Sequence, residues 1–271
     1  MSRCSTTSSR SRTSTTTPDL TDFVETPGRF MDPNAGTIVV KTPRFVLVAG
    51  ADGVWAAVEA IRLQDGEAPD AVAEVRELLA PTGGRVVSWW VTDRATPEDV
   101  EEQLLAAGLE VVADDYRLDG LLATAPPPDG PPEIEVRPAT TAEEWAAFRE
   151  VQDGVFDNPP ERRPTREQLL AEFPKTSAVL FGAFLDCELV GAGAASPSSR
   201  GMLLWGGSVR AAARGRGCYR ALVRARWDEA VRRGTPALTV SANDRSGPVL
   251  RRLGFEKVLE FRRLEDVTSS S

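Results

Sequence analysis

Histidine is absent from all 271 residues of this chain. That excludes Ser-His-Asp and Cys-His catalytic pairs, and metal sites built on imidazole. Cysteine is scarce: Cys4, Cys187 and Cys218 stand far apart, with no C-x-x-C spacing. They predict neither a zinc site nor a disulfide framework, so the expectation is a reducing, cytoplasmic setting and no metal. Long apolar runs are missing too. The longest, Ala178 to Leu185, falls far short of the ~20 residues a spanning helix needs, and no membrane partner is expected. Tyrosine occurs at 116 and 219 alone, which confines phenol chemistry to two positions. A net charge of −8 argues against a dedicated nucleic-acid partner.

What is present is ordinary for a globular chain: 41% hydrophobic and 27% charged residues, enough for a real core. The length fits two domains at roughly 100–200 residues each. Of the first twenty residues twelve are Ser or Thr, three are Arg and one, Asp19, is acidic. Such a stretch buries too little surface to offset its ordering entropy. We therefore assign residues 1–30 to a disordered tail, with Met31 as an alternative start.

From Thr37 the pattern is regular. Thr37–Lys41 and Arg44–Ala49 read as strands, Ala68–Leu79 as a helix with apolar residues at helical spacing, and Arg85–Thr92 as a strand. Thr96-Pro97-Glu98-Asp99 reads as the start of a helix that ends at Gly108, and Leu109–Leu122 as a closing strand. These make a unit over residues 37–124. Residues 125–132 (APPPDGPP) then form a stiff, exposed linker. Beyond it, residues 133–265 read in the order βααβββαβαβ, a mixed α/β domain in which Asp186-Cys187 makes a two-residue hairpin turn.

One segment carries chemistry. Ser208-Val209-Arg210 ends a strand, and Arg214-Gly215-Arg216-Gly217-Cys218-Tyr219-Arg220 forms a glycine loop that opens a helix. Glycines let the backbone lie close to a ligand, and a helix start offers unpaired N–H groups at the positive end of its dipole. Eight arginines against Asp228 and Glu229 give positions 210–233 a balance of +6, whereas 51–115 carries fifteen acids against four bases. A basic helix in an acidic protein suits a polyphosphate ligand. No Gly-Lys-Ser/Thr follows the glycines, which excludes a P-loop. A plain strand–helix turn would use the same glycines.

Residues 133–265 resemble the GCN5-related N-acetyltransferase (GNAT) family. Its Arg/Gln-x-x-Gly-x-Gly/Ala signature matches Arg214-Gly215-Arg216-Gly217-Cys218-Tyr219, and its N…LGF segment matches Asn243 with Leu253-Gly254-Phe255. The resemblance implies a mixed central sheet flanked by helices and an acyl-CoA donor, usually acetyl-CoA. Amides from Arg216 to Arg220 would cradle the pyrophosphate, with Arg214, Arg216 or Arg220 adding charge. Pantetheine would lie between two splayed strands, pairing near Val209 and hydrogen-bonding Asn243. A primary amine, on a small molecule or a protein, would attack the thioester directly.

The chain departs from the family at two places. Tyr219 stands where Gly or Ala is usual, and Leu250 where a tyrosine acid often sits. No strand carboxylate supplies the base, so the catalytic residues are unknown: Asp153, Asp157 and Asp244 are candidates by location alone. Cys218, at a helix start among arginines, is expected either to have a lowered thiol pKa or to pack under the helix. Trp205 and the loop 156–163 could line the acceptor pocket.

The stretch Gly108–Asp119 aligns without gaps on Gly254–Glu265, so residues 37–124 read as a second, degenerate GNAT-like unit. Its helix opens at Glu67-Ala68-Pro69-Asp70, where acids would repel pyrophosphate. The function expected is an acyl-CoA-dependent N-acyltransferase; the alternatives are a CoA-binding sensor and an unrelated polyphosphate module. A monomer and a homodimer both stay open.

Overall fold

A computed structural model describes residues 20–31, 36–51, 53, 55–82, 86–112, 116–156 and 163–267. The first half comprises α1 (Thr21–Glu25), β1 (Thr37–Lys41), β2 (Val46–Gly50), β3 (Ala56–Glu59), α2 (Ala68–Leu79), β4 (Val86–Thr92), α3 (Val100–Ala106), β5 (Glu110–Val111) and β6 (Arg117–Ala123). The second comprises β7 (Ile134–Pro138), α4 (Ala142–Phe156), α5 (Arg166–Glu172), β8 (Val179–Leu185), β9 (Glu188–Pro197) and β10 (Met202–Val209). It continues through α6 (Cys218–Arg232), β11 (Leu238–Ala242), α7 (Gly247–Arg252) and β12 (Glu256–Val267).

The described strands form one mixed sheet, ordered β1-β2-β3-β4-β12-β6-β11-β10-β9-β8-β7, with β5 also on β12. Each half builds an antiparallel meander that ends in a parallel pair, β3 with β4 and β10 with β11. A helix, α2 or α6, makes each parallel crossover. The closing strands are exchanged. β12 pairs antiparallel with β4 in the first half, and β6 pairs antiparallel with β11 in the second. The two exchanged strands also pair with each other, so the seam between the halves is continuous sheet.

One face of the first half is closed by α2 and α3 over a core that includes Leu47, Trp89, Leu104 and Leu264. In the second half α6 and α7 cover the same side, over Leu204, Val223, Trp227, Leu238 and Leu250. The other side is roofed by α4, whose Trp145 and Phe148 pack on Leu180, Ala192 and Ala194. Asp186 and Cys187 both hold positive φ (51° and 66°), the mirror-image turn that a two-residue hairpin favours.

Three expectations are corrected. The tail assigned to 1–30 is structured from residue 20, because Phe23 and Val24 bury their side chains. Val24 sits over Gly120, where a Cβ would lie 2.9 Å from its Cγ1. The buried Glu25 carboxylate accepts from Arg62, Thr92 and Arg94, which fastens α1 to the first half. Residues 1–19 lie outside the described residues.

The helix expected from Thr96 begins at Val100, because Thr96 is drawn into a parallel bridge with Arg62. The linker is not free in solvent. Gly130 passes so close to α6 that a Cβ there would lie 2.5 Å from that of Ala221, and Arg224 donates to the Pro127 carbonyl at 3.3 Å.

Candidate functional site

The parallel pair of the second half opens after two residues. Met202 pairs with Leu238 and Leu203 with Thr239, and no further pairs join β10 to β11. The opening faces a cavity of about 2050 Å³ that spreads over the α1 and α4 side of the sheet. A register shift between Trp205 and Ser208 marks a bulge on β10. Gly206 sits in it at φ 62°, and its carbonyl accepts from Gln152 Nε2 of α4 at 2.7 Å. A bulge of this kind re-aims the backbone beside a site.

Beyond β10 the chain turns through a 3-10 segment at Ala211–Ala213 into the glycine loop. Gly217 is the helix N-cap at φ 82°, a left-handed conformation that a side chain would strain. Since glycine has no side chain to cap with, the first turn of α6 keeps its donors. Among the described residues no oxygen accepts a hydrogen bond from the amides of Gly215 through Arg220, and the first helical bond is Ala221 N to Gly217 O. Arg220 folds back over the loop, with Nη2 3.6 Å from the Cβ position of Gly217 and Nε buried without a partner. Arg216 projects into solvent beside it. Five bare amides, two guanidinium groups and the dipole of a 15-residue helix make a strong anion cradle, the Cys218 amide being turned to its own thiol.

The residues singled out from sequence divide. Ser208, Val209, Arg214, Gly215, Arg216, Gly217, Cys218, Tyr219, Arg220 and Asn243 all line the cavity. Arg210 does not; it lies with Arg214 on a separate small hollow beside α4. Arg214 Nε donates to the Val209 carbonyl at 3.2 Å, so it clamps the strand end to the loop. Asn243 uses Oδ1 to accept from Arg245 N, Ser246 N and Ser246 Oγ, each at 3.1 Å, and thereby shapes the turn into α7. Cys218 is 1% exposed, and burial pushes its thiol pKa up, not down. It is the packing residue of the two readings. Tyr219 turns away from the loop and lies under the bulge, where a Cβ on Gly207 would meet its ring at 2.8 Å.

Neither Asp153 nor Asp244 lines the cavity, and Asp157 lies outside the described residues, as do positions 157–162 of the loop expected at the acceptor pocket. Phe156 and Trp205 do line it; Trp205 is held by Nε1 donation to Ser196 Oγ at 2.9 Å and by the Arg149 guanidinium at 5.2 Å. Sequence reasoning missed Glu172 on α5, a cavity-lining carboxylate that accepts from Trp145 Nε1 at 3.2 Å. It missed Glu59 as well, and Arg226, which reads with Arg232 and Arg233 as part of a solvated cationic helix face, is buried instead. Neither the apolar residues around Glu59 nor the charged run around Arg226 gives a sign that the side chain turns inward.

Among its described residues the first half has neither the open strand pair nor the glycine loop. β3 and β4 pair through three consecutive positions and are joined again beyond them at Arg62 and Thr96, with Leu63 N donating to Thr96 O at 2.9 Å. There is no slot. Ahead of α2, Gln64 N donates to Glu67 Oε2 at 2.8 Å and Gly66 N to Gln103 Oε1 at 3.0 Å, so the chain's own side chains occupy two of the loop amides. Among the described residues there is no group of three or more His, Cys, Asp or Glu that could hold a metal ion, and no helix long and apolar enough to cross a membrane.

No protein-family model and no curated protein matches this sequence. Solved structures do. A GCN5-related N-acetyltransferase from Kribbella flavida shares the fold at TM-score 0.63 and 16% identity, over 86% of this chain and 91% of that one. One from Sphaerobacter thermophilus gives TM-score 0.56 and 19% identity, over 83% and 80%. A tandem GNAT protein from the clavulanic acid biosynthesis pathway gives 0.55 and 17%, over 92% and 88%. The fold is that of the GCN5-related N-acetyltransferases, in a two-unit form.

Proposed function

We propose that this chain is an acyl-CoA-dependent N-acyltransferase whose second half binds the donor and whose first half borders the acceptor. The contrast between the two parallel strand pairs carries the reading. One pair is splayed beside a loop of unspent amides; the other is joined again at Arg62 and Thr96, with two of the amides ahead of its helix taken by side chains. Acetyl-CoA is the simplest donor. Its diphosphate would sit on the amides of 215–220 with Arg216 and Arg220, and its pantetheine arm in the gap beside Trp205–Val209.

A primary amine, on a small molecule or a protein, would enter from the α4 side. Its nitrogen attacks the thioester carbonyl, the C–N bond forms, and the C–S bond breaks to release the thiolate; the ammonium proton passes to solvent or to a cavity carboxylate such as Glu172. Holding both reactants in one cavity supplies most of the acceleration, and no covalent enzyme intermediate is needed. Gln152 fixes the bulge that sets the thioester's place.

Leu250, fully buried where a tyrosine acid would stand, favours the second reading, a CoA-binding sensor without turnover. Two measurements separate them: calorimetric titration with CoA, and thiol release from acetyl-CoA across a panel of primary amines. Arg216→Glu, an exposed change, is expected to weaken CoA binding at least about tenfold, since it puts a like charge beside the diphosphate. Unchanged affinity would remove the cradle from the reading. Binding without release under every amine would establish the sensor.

A further inference from the structure

The inner face of α6 holds a cation that the described chain does not balance. Arg226 is 1% exposed. Its Nε donates to Leu222 O at 3.0 Å and its Nη1 to Ala194 O at 3.3 Å, while Nη2 has no hydrogen-bond partner. No carboxylate among the described residues pairs with it; the one titratable partner is Tyr219, whose hydroxyl hydrogen-bonds the guanidinium. Gly193 makes the room: a Cβ there would stand 3.1 Å from the guanidinium carbon. A buried charge is costly unless a counter-charge and full hydrogen bonding compensate it, and Leu or Met would fill this volume without that cost. Arg226 is among the residues that line the cavity, with Nη2 just beneath its surface. An anion entering from the cavity would complete it.

Its depth along the helix says which anion. Arg226 lies eight residues beyond Cys218, so about 12 Å of helix separates their backbones, and its side chain leans back toward the cradle. Ala194, whose carbonyl it holds, pairs with Trp205, two residues past the last joint between β10 and β11. The guanidinium thus lies against β9, level with the point where β10 leaves β11. A donor moored by its diphosphate at the loop and laid along the slot brings its acyl group to this point.

Building on the donor site proposed above, we infer that Arg226 selects acyl-CoA donors whose acyl chain ends in a carboxylate, dicarboxylic monothioesters of the succinyl or malonyl type. The chain's carboxylate would accept from Nη2 and from the Tyr219 hydroxyl. Transfer is otherwise unchanged: the amide forms, the thioester C–S bond breaks, and the distal carboxylate stays intact.

The test is calorimetric binding of CoA, acetyl-CoA, butyryl-CoA and succinyl-CoA to the full chain; butyryl matches succinyl in length but is uncharged. Succinyl-CoA is expected to bind at least about tenfold tighter than butyryl-CoA, the size of one desolvated charge-assisted contact. Arg226→Met is expected to erase that ratio, with bare CoA as the internal reference. Equal binding of the two acyl-CoAs by the wild type, or a ratio that survives in Arg226→Met, overturns the assignment. Should that variant fail to fold, the wild-type ratio and Arg226→Gln decide. Failure of the wild type to bind CoA at all would instead bring down the donor site itself.

Discussion

Replacing Glu59 by Gln should make the protein more stable at neutral pH and change the slope of its pH profile. Glu59, at the end of β3, is 9% exposed, and its Oε2 accepts from Thr26 Oγ1 at 3.0 Å and Gly28 N at 3.1 Å. Burial disfavours its charge and, with a smaller contribution from nearby Glu25, raises its pKa from 4.5 to about 7 despite those two hydrogen bonds. Unfolded, the carboxyl releases its proton near 4.5; folded, it holds on until about 7. The raised value therefore favours the fold fully below the lower of these and progressively less as pH climbs between them, until the favour is gone above the upper one. That spread corresponds to about 3 kcal/mol.

Gln keeps an oxygen for Thr26 and Gly28 and does not titrate. Groups not coupled to it titrate alike in both proteins, so the difference between their melting temperatures isolates this carboxyl and its smaller coupling to Glu25. Thermal melts at about pH 5 and 7.5 should show the variant's advantage growing with pH by at least about 5 °C, taking roughly 2–4 °C per kcal/mol for a chain this long. Parallel profiles, or an advantage that shrinks as pH rises, would refute the reasoning.

Two further outcomes follow from the geometry. Gly217→Ala puts a methyl at φ 82° with its Cβ 2.5 Å from Pro131 Cγ, whereas Gly234→Ala meets similar strain at φ 77° with nothing within 4 Å. Each should lose about 1–2 kcal/mol in denaturant melts, but calorimetry should find CoA affinity reduced by Gly217→Ala alone. Asp266, 1% exposed, accepts from Arg76 Nε at 2.8 Å and Nη2 at 2.6 Å, tying β12 to α2. Asp266→Asn should cost about 2–4 kcal/mol in urea melts, while Glu143→Gln, which breaks an exposed pair with Arg166, should stay within about 0.5 kcal/mol.

The loop at 214–220 was legible because its message is local: glycines, arginines and a helix start lie in one stretch of chain. Elements with strong periodicity were legible for the same reason, and α2 occupies the span read for it. β3 was missed because Ala56–Glu59 is four residues long and half alanine, too short to show alternation. α1 was missed because Phe23 and Val24 sit close behind a Ser/Thr run whose composition dominates any window laid over it. The likeness between Gly108–Asp119 and Gly254–Glu265 was visible, but not which half each closing strand completes. Local pattern says that a segment is a strand; its neighbour is settled by packing more than a hundred residues apart. Glu59 and Arg226 were illegible on the same ground, since the direction a charged side chain takes is set by glycines and hydroxyls far away in sequence.

The crossing of β6 and β12 has a consequence for how the molecule comes into being. Neither half possesses all of its own sheet, so a growing polypeptide cannot finish the first while the second is still being synthesised. Until residues 256–267 emerge, β4 offers an open hydrogen-bonding edge to whatever strand drifts past, which makes late synthesis the moment of greatest aggregation risk. Once the last strand slots in, separation of the halves would require tearing backbone hydrogen bonds, not sliding side chains past one another. Cutting the gene between them should yield two insoluble fragments instead of two working pieces.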